Sequence, residues 1–125
     1  MIENEIGDVV VESALKAHTA LGAGLLESVY EACLAYELVK HGLGVERQVQ
    51  CPVTYDDLKI DGGFRLDLLV GGKVVIEVKA VESLLPVHTA QLLTYLKLGG
   101  FKLGYLLNFN VAHMRDGIKR IVNKL

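Results

Sequence analysis

The sequence predicts an α/β (α+β) fold, a central mixed β-sheet flanked by helices. Three observations predict it. Apolar residues recur with a period near 3.6 up to residue 41, near 2 between residues 45 and 80, and near 3.6 again over 86–98. Glycines stand at most of these changes, as Gly22, Gly24, Gly42, Gly71-Gly72 and Gly99-Gly100. The chain is 51% hydrophobic with a mean hydropathy of +0.36, so a core large enough for a layered fold is available.

Each element follows in order. Ile2, Ile6, Val9, Val10, Ala14, Ala17 and Leu21 give residues 2–20 a helical apolar face with an acidic outer face. Gly22 and Gly24 end that helix and allow a restart. Residues 25–41 form the second helix, with Leu26, Val29, Cys33, Leu34 and Leu38 near one stripe. Gly42 is placed for the left-handed position behind it. Val45–Tyr55 reads as an extended stretch interrupted at Pro52 and ended by Asp56-Asp57. Phe64–Val70 and Lys73–Ala80 are two strands across Gly71-Gly72, a hairpin signal. Residues 86–98 form a third helix with Pro86 in its first turn. Lys102–Phe109 is an apolar strand, and Ile118–Val122 is short enough to be strand or helix.

At 125 residues, with no repeat, linker or low-complexity run, the chain reads as a single domain over 1–125. High hydrophobicity and a net charge of −2 exclude an intrinsically disordered class. No apolar run approaches the ~18 residues of a membrane span. The start, Met1-Ile2-Glu3-Asn4-Glu5, lacks the basic and apolar regions of a signal peptide. Cys33 and Cys51 stand alone, without metal spacing, as two reduced thiols would. A cytoplasmic location with no membrane partner is the expectation. Charge is uneven: residues 1–62 hold four Lys/Arg against eleven Asp/Glu, and residues 63–125 hold nine against four. Such asymmetry hints at a charged partner, although two halves of one small domain interleave.

The chemistry concentrates in Lys73-Val74-Val75-Ile76-Glu77-Val78-Lys79-Ala80. Glu77 and Lys79 are two apart on an otherwise apolar strand, so both leave the same face. They are either solvent-facing cross-strand partners or members of a polar site. Asp67, a lone acid in Arg65-Leu66-Asp67-Leu68-Leu69, meets Glu77 only under one register. A two-residue turn at Gly71-Gly72 sets Asp67 opposite Ile76. An odd loop or a one-residue bulge sets it opposite Glu77. Two carboxylates that meet repel unless a cation lies between them, and all-oxygen ligands favour a hard ion, Mg²⁺ or Mn²⁺.

Asp67, nine intervening residues and Glu77-Val78-Lys79 resemble the core motif of the PD-(D/E)XK nuclease superfamily. Gly24-Leu25-Leu26-Glu27-Ser28-Val29-Tyr30 is similar to the signature of the GxxExxY protein family, assigned to that superfamily. The resemblance continues in Pro86-Val87-His88, Gln91-Leu92-Leu93-Thr94-Tyr95 and Asn108-Phe109, in the right order along nearly the whole chain. Leu66 stands where the superfamily name has proline, and Asn110 where many relatives carry glycine.

The resemblance implies a restriction-endonuclease-like core and a set of roles. Asp67 and Glu77 become metal-binding carboxylates, with the backbone carbonyl of Val78 as a third ligand. Glu27 completes the acidic cluster, directly or through water. Lys79 stabilises charge developing at the scissile phosphate. Gln91 and Tyr95, four apart on one helical face, orient the lysine or contact the nucleic-acid backbone. Tyr30 and His88 join as substrate-binding or orienting residues. The plain alternatives are that Glu27 is a first-turn acid favoured by the helix dipole, Tyr30 a core aromatic, and Gln91 with Tyr95 an ordinary polar stripe.

The leading function is then a Mg²⁺- or Mn²⁺-dependent phosphodiesterase acting on nucleic acid, DNA before RNA. The alternative is a catalytically silent nuclease-fold module that binds nucleic acid or a protein partner. The chain leaves little room for a recognition domain, so any specificity has to come from a homodimer or another partner. Arg65, Lys97, Lys102, Arg115, Lys119 and Arg120 are expected to supply the phosphate-contacting surface near the acidic site.

Overall fold

The first two helices pack against each other and cover one face of a five-stranded sheet. The computed structural model describes all 125 residues, Met1–Leu125. Helix α1 spans Glu3–Leu21 and buries Ile6, Val10, Ala14 and Ala17, the face its periodicity predicts. Glu5 accepts a hydrogen bond from the Ile2 N–H at 2.9 Å, closing the open first turn. Helix α2, Glu27–Lys40, buries Tyr30, Leu34 and Leu38, one every turn. Gly42, left-handed at φ 80°, ends it as the sequence predicts.

Strand β1 (Val45–Tyr55) runs through Pro52 without ending. Its register against the next strand shifts between Cys51 and Val53, so the proline occupies an irregularity where a ladder N–H is not needed. Strand β2 (Leu58–Val70) begins well before Phe64. The added segment pairs with the end of β1, Val53 with Ile60 and Tyr55 with Leu58, as a hairpin arm that leaves the sheet and stays exposed. Strand β3 (Val74–Lys79), helix α3 (Pro86–Gly99), strand β4 (Leu103–Asn108), a short 3₁₀ turn (Met114–Gly117) and strand β5 (Ile118–Val122) follow. The last element is therefore a strand.

The sheet order is β1-β2-β3-β4-β5, with β3 and β4 parallel and the other neighbours antiparallel. The parallel pair is joined through α3, which crosses the opposite face from α1 and α2. Helices thus cover both faces, the mixed α+β arrangement expected. Nineteen buried residues form the cluster on the α1–α2 face and eight that on the α3 face. Because β3 and β4 are parallel, Lys79 and Asn108 finish at the same edge, where the site lies. No helix is long and apolar enough to cross a membrane.

Candidate functional site

The site begins with a register. Leu68 pairs with Ile76, Leu69 with Val75 and Val70 with Val74, leaving Gly71, Gly72 and Lys73 in an odd three-residue loop. Gly71 (φ 61°) and Gly72 (φ 68°) are both left-handed, and a Cβ on Gly71 would lie 2.8 Å from the Ile6 side chain. Under this register Asp67 comes opposite Glu77, the alternative that brings the two acids together.

The β2–β3 ladder stops at Leu68–Ile76, and the carboxylates continue it. The Asp67 N–H donates to Glu77 Oε2 at 2.9 Å, and the Val78 N–H donates to Asp67 Oδ2 at 2.9 Å. Each acid thus caps the other strand's backbone where the strands part. Beside the fork is an open cleft of about 430 Å³, lined by Glu27, Gln50, Gly62, Phe64, Arg65, Asp67, Glu77, Lys79, Gln91 and Tyr95.

Its electrostatics follow from burial. Glu77 is 4% exposed, and its carboxyl is pushed up to about 8, by burial first and by the Asp67 charge second. The hydrogen bond from the Asp67 N–H and the cations Lys79 and Arg65 only partly oppose this. Tyr95 is raised above the usual phenol value by burial and by the two acids, so it stays a neutral donor. Its ring stacks on Phe64, with centroids 4.9 Å apart.

The remaining residues arrive from both sides of the sheet. Glu27 opens α2 and accepts from the Ala80 N–H at 3.3 Å, placing its carboxylate at the end of β3. One turn later the buried Glu31 accepts from Arg47 (3.0 and 3.1 Å) and from Gln48 Nε2 (2.6 Å), which ties α2 to β1. Gln48 is left-handed at φ 53°, a strained residue held by that contact. Gln91 and Tyr95 reach in from α3. The Asn108 amide grips the chain leaving β3, accepting from the Val81 and Asn110 N–H groups and donating to the Val81 carbonyl.

Two expected site residues lie elsewhere. Tyr30 is fully buried, stacked on Phe109 at 4.6 Å, and its hydroxyl donates to the Gly22 carbonyl and accepts from the Leu25 N–H. It fixes the α1–α2 connection and so supports Glu27 from behind, outside the cleft. His88 accepts from the Leu85 N–H through Nδ1 at 3.0 Å, a helix cap rather than a cleft group. Val78 follows Glu77, donates its N–H to Asp67 and has its side chain in the α1–α2 core. Gln50 and Gly62 line the cleft from the base of the hairpin arm without having been singled out, because the sequence did not disclose the arm.

The expected basic surface is mostly misplaced. Lys97 lies in the last turn of α3, Lys102 precedes β4, and Arg120 donates to Asn4 at the start of α1 at 2.7 Å. All three belong to the sheet edge away from the cleft. Arg65 alone of the six lines it.

No three His, Cys, Asp or Glu side chains converge into a ready metal cage. The donor chemistry nevertheless fits a hard divalent ion. Asp67 and Glu77 are paired oxygen donors; burial first and the Asp67 charge second keep a proton on Glu77, and a cation between the two would offset both.

A mixed sheet, helices on both faces and a carboxylate-lysine cleft at a strand fork define a nuclease-like architecture. A family model described as the PD-(D/E)XK nuclease superfamily matches residues 4–121, and the chain belongs to that superfamily. The crystal structure of SSO0001 superposes with a TM-score of 0.53 at 19% identity, covering 96% of this chain and 79% of that one, a likeness of fold. No curated protein matches the sequence.

Proposed function

We propose that the chain is a metal-dependent phosphodiesterase acting on nucleic acid, with DNA as the first substrate to test and Mg²⁺ or Mn²⁺ as its ion. Within the superfamily we read it as a GxxExxY protein, from Gly24, Glu27 and Tyr30, and as a single cytoplasmic domain that forms a homodimer or works with a partner. The observation that carries the activity is the fork, where Glu77 accepts from the Asp67 N–H and Asp67 from the Val78 N–H, with Lys79 two residues beyond Glu77. PD-(D/E)XK nucleases are generally dependent on a divalent metal.

Asp67 and Glu77 would hold the ion, with Val78 O and Glu27 as further oxygen donors. A bound divalent ion supplies a polarised phosphoryl group and a more acidic water. Lys79 places a positive charge where negative charge grows in the transition state. Arg65 binds a substrate phosphate. Gln91 and the neutral Tyr95 hydroxyl orient the lysine or the strand through hydrogen bonds.

A cleavage assay with Mg²⁺ or Mn²⁺ on labelled DNA and RNA tests the reading. Lys79→Met should lower turnover by ~10²–10³. Glu27→Gln should lower it less. A Lys79→Met protein that cuts at the parent rate would contradict the assignment. The second reading, a module that binds without cutting, draws on the fork's internal hydrogen bonds, which make Asp67 and Glu77 self-sufficient braces. Intact substrate with every ion would favour it.

A further inference from the structure

The cleft is one of several hollows at the sheet edge where β3 and β4 end. The next, about 400 Å³, shares Glu27 with it and is floored by Leu25, Leu26, Ser28 and Ala80. A third, about 440 Å³, lies between the end of α1 and the 3₁₀ turn, lined by His18, Thr19, Gly22, His113 and Arg115 among others. Glu27 links the first two, and the Gly22–Leu25 connection links the second to the third.

Their chemistry differs in an ordered way. The cleft sets Glu27, Asp67 and Glu77 against Arg65 and Lys79, the middle hollow is a shelf of Leu25 and Leu26, 40% and 73% exposed, and the third carries Arg115 as its one full charge. No carboxylate lines the third, since Asp116 is exposed beside it but outside its wall. His18 Nε2 is engaged by the Val111 carbonyl at 2.8 Å, which anchors that wall to the chain leaving β4. Arg115 and His113 are exposed and have no protein ion-pair partner.

We infer that this track takes a single polynucleotide strand leaving the cleft, with an unpaired base on the Leu25–Leu26 shelf and the following phosphate on Arg115 and His113. The inference rests on the nucleic-acid reading of the cleft and adds a substrate class to it. The shelf selects the class. In a duplex the base faces are stacked on each other, so exposed leucines have an apolar partner only where bases are unpaired. A polyanion passing the carboxylates of the cleft also gains from a cation beyond them, and Lys97, Lys102 and Arg120 lie at the other edge.

The test is fluorescence anisotropy in EDTA, with a labelled single-stranded oligonucleotide and a blunt hairpin duplex. Arg115→Ala with His113→Ala should weaken single-strand binding about tenfold and duplex binding far less. The salt slope for the single strand should fall by about 0.7 with Arg115→Ala alone and recover with Arg115→Lys. Leu26→Asn, which adds no charge, should weaken single-strand binding and not duplex binding while leaving the salt slope unchanged, since the shelf meets a base and not a phosphate. Equal losses on both ligands, unchanged single-strand affinity, or a parent that binds neither would overturn the inference. A parent that binds and shows these losses, yet cuts nothing with Mg²⁺ or Mn²⁺, would uphold the track while removing the nuclease reading.

Discussion

The two faces of the sheet are built to different ends. Under α1 and α2, nineteen buried residues interlock, including Leu34, Leu38, Leu68, Ile76 and Phe109. Under α3 only eight do, and the acids and lysine of the cleft stand beside them. The first face supplies stability and the second gives some up, since Glu77 is buried beside another carboxylate. Apart from Glu27, which reaches the cleft from α2, folding and chemistry are thereby separated across one layer of backbone, so substitutions on the two faces should have opposite signatures.

The largest expected effect is on the packed face. Leu34→Ala, at a fully buried position, should cost about 2–5 kcal/mol in urea unfolding. A loss below about 1 kcal/mol would show that face to be less tightly packed than its burial indicates.

Glu77→Gln should do the reverse, and its sign depends on pH. Below about 4.5 the folded and unfolded chains both carry the Glu77 proton. Between 4.5 and about 8 only the folded chain keeps it, so parent stability falls as pH rises, and the fall is complete above about 8. The glutamine variant should match the parent near pH 4 and exceed it at pH 9 by roughly 1–3 kcal/mol, read by urea unfolding at both values. Equal stability at pH 9 would remove the electrostatic cost from the cleft face.

Gly71→Ala sharpens the comparison at the hairpin that sets the register. The left-handed backbone and the nearby Ile6 side chain should together cost about 1–3 kcal/mol. Smallest is Tyr30→Phe, which keeps the stack on Phe109 and loses the hydroxyl bonds, at about 1 kcal/mol in thermal unfolding.

Much of this was legible in the sequence because it rests on period and parity. The helices follow from apolar spacing, and the choice between registers was already visible as odd against even. The register itself lay in Gly71 and Gly72, whose conformations the sequence permits without dictating. The hairpin arm was missed because Asp56, Asp57, Asp61, Gly62 and Gly63 read as loop, while its pairing comes from backbone bonds that carry no side-chain signature. Tyr30 and His88 went astray for another reason. A helix places residues on a face, but only tertiary packing decides whether that face meets solvent, core or cleft. The basic residues scattered because charge along a chain does not fix the edge of the sheet at which each will stand.

The most direct measurement is a calorimetric titration of Mn²⁺ into the parent, Asp67→Ala and Lys79→Met, each verified as folded by circular dichroism. The account predicts that the parent binds, that Asp67→Ala does not, and that Lys79→Met binds as well as the parent or slightly better, because a cation beside the ion has been removed. Binding by Asp67→Ala equal to the parent's, or loss of binding in a folded Lys79→Met, would contradict it.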